Sequence, residues 1–292
     1  MGSVRASPPG LKDVDFAKQA FLRACRLDTL ARKPGNVSVA SPGHGMQASQ
    51  FVAAAAAAAG PISSAGARVG ERIEQAVRAA WRATSCNTNL GIVLLCAPLL
   101  AAFEQREGPD SLRAALEAVL QSLDVDDARA AYRAIALAQP GGLGRAPEQD
   151  VADAPTVGLR QAMALAAHRD RIAWQYLHGY ADVFELGLPV FLAARTAESA
   201  MQATFLEFLA RLPDSHIVRK HGDAVAQSVM REATQWRERA RRGEDVDADP
   251  AFARWDEDLK ARGINPGTSA DLCVAVALAA ALRAPAPTPC FY

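Results

Sequence analysis

Hydrophobic side chains recur at three- and four-residue intervals along almost the whole chain, which is typical of helices that pack against a core. Alternating β-branched strands bounded by turn residues are essentially missing from the sequence. The spacing predicts helices or helix pairs over residues 16–30, 51–59, 68–83, 110–122, 125–138, 156–185, 188–211, 222–242 and 247–262. We therefore expect an all-α fold that forms a single large helical domain.

Two further segments, residues 90–104 and 269–283, are apolar on every face and predict two helices buried at the centre of that domain. The polar residues expected at their starts are Asn87, Thr88 and Asn89 for the first helix, and Thr268 and Ser269 for the second. Asn87 is the expected N-cap of the first helix, and Thr268 and Ser269 are expected to cap the second. The start of a buried helix presents oriented N–H donors and partial positive charge, which suits phosphate or carboxylate groups. Ordinary capping of core helices explains the same residues, so both interpretations stay open here.

The ends of the chain and one internal stretch differ from this helical pattern. Residues 1–11 are rich in Ser, Pro and Gly and predict a flexible tail, while residues 285–292 predict an extended tail, which leaves residues 12–284 for the domain. The Gly- and Pro-rich stretch 138–155 predicts a long surface loop. Helices of similar composition flank this loop, which argues against a domain boundary there.

Composition narrows the functional classes. The 32 basic and 32 acidic residues cancel, so the chain offers no basic surface for nucleic acid. The five cysteines form no CxxC pair, which argues against a structural zinc site or a disulfide scaffold. No secretion signal is apparent, and no apolar run reaches the roughly 20 residues that span a bilayer. We expect a cytoplasmic protein that binds small molecules and neither nucleic acid nor membrane, and a homodimer stays open.

Two polar stretches suggest a phosphate or metal site. Lys33 lies in a Pro/Gly turn, ARKPGNVS, where its ammonium group would be available to a phosphate unless it is simply solvated. The segment LPDSHIVRKHG, residues 212–222, gathers an acid, two histidines and two cations at a turn that leads into a helix. This mixture fits a site for metal and phosphate, although the spacing matches no zinc motif.

Taken in chain order, the stretches KPGNVS, GHGM, NTNLGIVLLCAPL, DSHIVRKHG and NPGTSADL resemble one series of family motifs. The series is that of the triphosphoribosyl-dephospho-CoA synthases, in which the patterns run roughly PKPGLVD, GAHxDM, NTHKG, DTxxxRxxG and SPGGSADL. The resemblance extends over about residues 15–283. It implies an all-helical transferase that moves the 5-triphosphoribosyl group of ATP to a hydroxyl of dephospho-CoA and releases adenine.

The resemblance also implies roles for residues that match these motifs. The implied catalytic residues are His44, Asp214, His216 and Asp271; either histidine would be the base, and the two aspartates would hold metal or stabilise an oxocarbenium-like transition state. The implied substrate- and phosphate-binding residues are Lys33, Asn36, Asn87, Thr88, Asn89, Arg219, Lys220 and Ser269. Mg²⁺, bound together with ATP, is the expected cofactor.

The sequence departs from the family pattern at Asn89-Leu90, where the family has His-Lys, and after His44, where the family has an acidic residue. The NTNLG form resembles a divergent branch associated with one-carbon metabolism that uses tetrahydromethanopterin. Two alternatives therefore stay open. The protein would perform a different pentosyl or pterin-related step in making such a cofactor, or it would be a non-catalytic relative that binds a nucleotide.

Overall fold

The computed structural model describes the backbone of residues 11–283 and the side chains of residues 13–283. Within this part of the chain the regular structure is helical and no β-sheet is present, which confirms the predicted all-α class. The α-helices are α1 Leu11–Leu30, α2 Ala48–Ile62, α3 Val69–Thr84, α4 Leu90–Gln105, α5 Leu112–Ser122, α6 Val125–Ala138, α7 Leu159–Ala166, α8 Arg171–Leu177, α9 Leu188–Ala193, α10 Ala197–Arg211, α11 Ser215–His221, α12 Asp223–Arg241, α13 Pro250–Ala261 and α14 Gly267–Arg283.

Helices α4 and α14 lie at the centre of the fold. Residues 92–103 of α4 are all buried, and α14 is buried along nearly its whole length while packing against α1, α4, α9 and α10. The prediction of two buried central helices is therefore confirmed. Their apolar faces are covered by the surrounding amphipathic helices, which is the usual way for an all-α domain to bury its core. Between residues 11 and 283, no helix is both long and apolar enough to cross a lipid bilayer.

A proline inside α4 is accommodated by two buried tyrosines. Pro98 has no N–H to donate to the carbonyl of Leu94, four residues earlier. The Tyr176 hydroxyl donates to that Leu94 oxygen at 2.6 Å, and the Tyr180 hydroxyl donates to the neighbouring Leu95 oxygen at 3.0 Å. Both rings are fully buried, so the aromatic stretch around them serves the core and holds α4 in place.

Several predicted helices are divided into shorter pieces because polar side chains start new helices within them. The stretch 156–185 forms α7, α8 and a π-helical turn at Asp182–Gly187, since the Asp170 carboxylate caps α8 by accepting from Ile172 N and Ala173 N. The stretch 188–211 forms α9 and α10. Helix α5 is preceded by a 3-10 turn at Pro109–Ser111, and α13 by another at Val246–Ala248.

The predicted caps of the two central helices are wrong in detail. The residue that precedes α4 is Asn89, and Asn87 contributes instead by accepting from the Leu90 N–H at 3.3 Å. Helix α14 begins at Gly267, so Thr268 and Ser269 lie inside its first turn. Propensity finds residues that favour a helix start, but the fold decides which of them occupies the cap.

The ends and the long loop set the limits of the described domain. Helix α1 begins at Leu11, one residue inside the stretch predicted as a tail; residues 1–10 and 284–292 lie outside the described residues. The predicted long loop lies between α6 and α7. It is braced internally by the Asp150 carboxylate, which accepts from Ala146 N and Ala152 N, and by the Tyr132 hydroxyl, which donates to Gln149 O at 2.6 Å.

Candidate active site

A cavity of about 790 Å³ lies where the first turns of α4 and α14 meet. Helices α7, α8 and α11 and the loop between α6 and α7 complete its wall. The volume is in the range of small-molecule and cofactor sites. The two buried helix starts identified from the sequence are therefore both at one cavity.

The cavity brings together nine of the twelve site residues predicted from the sequence. The nine that line it are Asn36, His44, Asn87, Thr88, Asn89, His216, Arg219, Lys220 and Asp271. The three that do not line it are Lys33, Asp214 and Ser269. The nine come from separate segments of the chain, and seven of them lie just before α4, on α11 or on α14.

Polar groups at the start of α4 are buried without partners in the described structure. Thr88 is 8% exposed and Asn89 is 5% exposed, and neither the Thr88 Oγ1 nor the Asn89 Nδ2 has a hydrogen-bond partner there. Asn89 makes no side-chain cap bond to its own helix. Buried polar groups are normally paired because an unpaired one costs free energy. These groups therefore fit a bound ligand as their partner.

Asp271, in the second turn of α14, faces the start of α4 across the cavity floor. Its Oδ2 lies where a side chain on Gly91 would be, 2.0 Å from an ideal Cβ, so the residue at position 91 must be glycine for the carboxyl group to sit there. Asp271 has no hydrogen bond or ion pair among the described residues. Burial, followed by the charges of Asp28, Asp214 and Asp170, raises the pKa of Asp271 well above its ordinary value.

Three cationic side chains border the cavity on another side. Arg219 donates from Nε to Gly141 O at 2.9 Å and from Nη1 to the Asp170 Oδ2 at 3.4 Å, so part of its guanidinium is already engaged. Lys220 and Arg169 are exposed and have no ion-pair partner in the described part of the chain. Uncommitted cations at a cavity mouth suit a polyphosphate.

The two predicted histidines are held by different contacts. The Nε2 of His44 lies 2.7 Å from Gly35 O, so Nε2 carries a proton, and in the neutral ring Nδ1 is then an acceptor. The ring of His216 lies against Gly267, with its Nδ1 2.6 Å from the position of a Cβ there. Burial, together with the charges of Lys220 and Arg219, lowers the pKa of His216 to about 3, which keeps its imidazole neutral.

Lys33 does not line the cavity, so its predicted role as a phosphate ligand is corrected. The alternative that Lys33 is solvated is also wrong. Its side chain is 0% exposed, and its Nζ lies 3.2 Å from the Asp28 Oδ1 and also contacts the Asp28 carbonyl oxygen. A buried lysine needs a carboxylate partner, and Asp28 in α1 is the acid that supplies it. Asp28 itself lines the cavity floor.

Asp214 and Ser269 are bonded to each other behind the cavity wall. The Asp214 Oδ2 accepts from Ser269 N at 2.7 Å and from Ser269 Oγ at 2.8 Å, while its Oδ1 accepts from His216 N and Ile217 N. A carboxylate has about four lone-pair sites, and all are used. With 2% exposure, Asp214 is removed from the candidates for metal ligation or direct catalysis, and Ser269 from those for substrate binding.

Sequence reasoning missed other residues of the cavity wall. They are Asp28, Arg169, Asp170 and Asn265, together with most of residues 139–151. Asn265 had a signal, since it belongs to the motif NPGTSADL, and its Oδ1 accepts from the Asn36 Nδ2 at 2.9 Å. Asp28 and Arg169 stand within ordinary amphipathic helical sequence, where no local pattern marks them.

The described residues contain no group of three or more His, Cys, Asp or Glu side chains arranged to hold a metal ion by themselves. Mg²⁺ that accompanies a nucleotide is usually held by one or two carboxylates and the phosphate oxygens. Asp271 offers one uncommitted carboxylate to such an ion, and Asp214 offers none.

The chain matches the family model of ATP:dephospho-CoA triphosphoribosyl transferase over residues 15–289. The chain belongs to this family. It is therefore a member of a transferase family whose described reaction joins ATP and dephospho-CoA, as the resemblance implied. No curated protein matches the chain at a significant level.

A solved structure agrees with this placement. The chain is similar to a crystal structure from Archaeoglobus fulgidus, of a protein assigned as a triphosphoribosyl-dephospho-CoA synthase, with 22% sequence identity and a TM-score of 0.61. The match covers 80% of this chain and 96% of that one. At this identity the likeness shows a shared fold.

The departure from the transferase family pattern at Asn89-Leu90 lies in the cavity wall. Asn89 and Leu90, which stand where the family has His-Lys, both line the cavity. An apolar side chain therefore occupies the wall at the position of the family lysine. Lys220, Arg219 and Arg169 are the cations that remain around this cavity in the described structure.

Proposed function

We propose that the chain transfers the 5-triphosphoribosyl group of ATP to a hydroxyl of dephospho-CoA and releases adenine. The observation that carries the proposal is that one cavity contains both an uncommitted carboxyl group, on Asp271, and uncommitted cations, on Lys220 and Arg169. A triphosphoribosyl donor has two parts that match these groups. The reacting carbon of its sugar becomes positive and suits the carboxyl group, and its phosphates are anionic and suit the cations.

The triphosphate belongs at the side of Arg219, Lys220 and Arg169. Two of these cations have no carboxylate partner in the described chain, so phosphate oxygens gain charge-assisted hydrogen bonds without breaking an ion pair. The cavity floor is unsuited to phosphate because, among the described residues, it carries the carboxyl groups of Asp28, Asp170 and Asp271 and no uncommitted cation, and each carboxyl group that is ionised repels phosphate. Like charges about 4 Å apart repel by roughly 4 kcal/mol at an effective dielectric constant near 20.

The ribose belongs on the floor, between the starts of α4 and α14. Its hydroxyl groups would pair with the Thr88 hydroxyl, the Asn89 amide and the Asp271 carboxyl, which lack partners in the described structure. In the transfer, the bond from C1′ to the adenine nitrogen breaks and a bond from C1′ to the acceptor oxygen forms. The proton of the acceptor hydroxyl leaves, and adenine gains one.

Charge and proton transfer are assigned to three residues. An ionised Asp271 would oppose the positive charge that develops at C1′. The Nδ1 of His44 would accept the proton of the acceptor hydroxyl, while His216, whose lowered pKa makes its neutral imidazole a weak base, would accept a hydrogen bond from that hydroxyl. Mg²⁺ bound with ATP would neutralise phosphate charge and would be held mainly by the phosphate oxygens.

The direct test is to incubate the purified protein with ATP, Mg²⁺ and dephospho-CoA and to measure free adenine and the mass of the acceptor. We expect adenine to appear in step with an acceptor enlarged by one triphosphoribosyl group. Adenine release with another acceptor only would favour the pentosyl or pterin-related alternative. ATP binding without any adenine release would favour the non-catalytic alternative. Those two alternatives and the association with tetrahydromethanopterin stay predictions.

A matched pair of lysine variants tests the position of the triphosphate. Lys220→Ala removes an uncommitted cation at the cavity, and Lys18→Ala removes a lysine of α1 that does not line it. We expect Lys220→Ala to weaken ATP binding about tenfold, the size of one charge-assisted hydrogen bond, and Lys18→Ala to leave it unchanged. In wild type, ATP at one hundred times Kd should raise stability by about 2.7 kcal/mol. Equal ATP affinities in the two variants would place the triphosphate elsewhere.

A further inference from the structure

One carboxylate joins the first turns of two helices that carry cavity residues. The Asp214 Oδ1 accepts from His216 N at 2.9 Å and Ile217 N at 3.1 Å at the start of α11. The Asp214 Oδ2 accepts from Ser269 N at 2.7 Å and Ser269 Oγ at 2.8 Å in the first turn of α14. Asp214 therefore caps its own helix and a second helix 55 residues further along the chain.

The bridge has an electrostatic reason. Each helix start carries partial positive charge, so two starts that meet inside the fold repel each other unless an anion lies between them. Asp214 is that anion, at 2% exposure, where little water competes for it. Each carboxylate oxygen accepts two hydrogen bonds, and hydrogen bonds are directional. The carboxylate therefore fixes the orientation of the two turns as well as offsetting their partial charge.

The consequence of this bridge is seen in the residues that follow it. His216 lies two residues after Asp214 on α11, and Asp271 lies two residues after Ser269 on α14. The ring of His216 packs against Gly267 so closely that a Cβ there would lie 2.6 Å from its Nδ1. Asp271 packs with similar closeness over Gly91. A shift between α11 and α14 would therefore disturb the packing of His216 on Gly267.

We propose that Asp214 is a positioning residue, which fixes the imidazole of His216 and the carboxyl group of Asp271 relative to each other across the cavity without touching substrate or metal. The inference rests on the proposed function only for its effect on turnover. Its geometric content, that the Asp214–Ser269 bridge sets the place of His216, is independent of which reaction occurs.

The test uses Asp214→Asn and Ser269→Ala, with Asp249→Asn as a matched control. In Asp214→Asn the remaining oxygen still caps α11, but the amide nitrogen no longer accepts from Ser269. In Asp249→Asn the cap on α13 is likewise kept, from Ala251 N at 2.8 Å, while the bond with Arg239 at 2.6 Å is lost, away from the cavity. Ser269→Ala removes one of the four bonds to Asp214 and is the milder variant if Asp214→Asn folds poorly.

The readouts are kcat, the Mg²⁺ concentration for half-maximal activity, the melting temperature, and the imidazole NMR signals of His216 in the free protein. We expect Asp214→Asn to lower kcat about 10- to 100-fold and Ser269→Ala less, with half-maximal Mg²⁺ unchanged within about twofold. The His216 signals should shift in both variants. Asp249→Asn should lower the melting temperature while leaving kcat and the His216 signals unchanged.

Three results would overturn the proposal. A tenfold or larger rise in the Mg²⁺ requirement of Asp214→Asn would make Asp214 a metal ligand. An unchanged kcat with a lowered melting temperature would make its role purely structural. Unmoved His216 signals would show that the bridge does not position the ring. If wild type releases no adenine, the proposed function fails, and the His216 signals still decide the positioning role.

Discussion

The two central helices begin beside the same cavity, but their first turns are satisfied in opposite ways. The start of α14 is bonded to the carboxylate of Asp214, which accepts both the N–H and the hydroxyl of Ser269. At the start of α4, Asn87 accepts from the Leu90 N–H, but the Thr88 hydroxyl and the Asn89 amide nitrogen are buried without hydrogen bonds in the described structure. Both helices are buried along most of their length, so this difference concerns the starts.

The difference separates positioning from binding. A helix start that is saturated by the protein is fixed in place and has nothing to offer a ligand. A start whose buried groups lack partners pays a free-energy cost that a bound ligand can relieve. We therefore infer that the first turn of α14 positions Asp271, while the first turn of α4 receives the ligand.

The largest effect is expected from Asp271→Asn, because Asp271 is the uncommitted carboxyl group that α14 carries to the start of α4. Losing its charge beside a positive transition state should lower kcat about 10²- to 10³-fold, the range for removal of one electrostatic catalytic group. Adenine release under saturating ATP measures this. A kcat within twofold of wild type would mean that the reacting carbon lies elsewhere.

The pH dependence of stability tests the raised pKa of Asp271. Because the pKa of Asp271 is raised in the folded state, the native protein binds more protons than the unfolded chain above about pH 4, where a free aspartate loses its proton. Stability is therefore lost as the pH rises through this window. We expect Asp271→Asn to melt above wild type at neutral pH and the gap to narrow towards pH 4. A gap independent of pH would contradict the raised pKa.

An intermediate effect is expected from Gly91→Ala in the first turn of α4. The new Cβ would lie 2.0 Å from the Asp271 Oδ2, so the carboxyl group must move, and kcat should fall about 10- to 100-fold with little change in KM for ATP. The control is Gly60→Ala in α2, where a Cβ meets nothing within 4 Å and should stabilise the helix by about 0.5–1 kcal/mol. Equal turnover in the two variants would show that the placement of Asp271 over α4 is unimportant.

The smallest effect is expected from Thr88→Val, which replaces an unpartnered buried hydroxyl with a methyl group of similar size. ATP affinity should fall about 2- to 10-fold, since a hydrogen bond contributes roughly 0.5–1.5 kcal/mol, while the melting temperature should not fall. Thr204→Val is the control, because the Thr204 hydroxyl on α10 is also buried and unpartnered but lies outside the cavity. If both variants bind ATP equally well, the ligand does not contact Thr88.

Much of the fold was predictable because its signals are local. The all-round apolarity of residues 90–104 and 269–283 identified the buried helices. The spacing allowed helix pairs over 156–185 and 188–211 but could not place the divisions, because side chains such as Asp170 start new helices without interrupting the hydrophobic spacing. In the site, the motifs located nine of the residues that line the cavity, but Asp28 and Arg169 stand in ordinary helical sequence and had no signal.

The sequence by itself determined the helical class, the two buried helices and the polar residues at their starts, because each depends on neighbours within a few positions. Only the tertiary structure decided which polar groups are free. Lys33 forms an ion pair with Asp28, and Asp214 accepts hydrogen bonds from Ser269. Asp271 and Lys220, in contrast, have no such partner in the described chain. The physical reason is that a charged group is free or engaged according to the atoms that surround it, and most of those atoms come from distant segments of the chain.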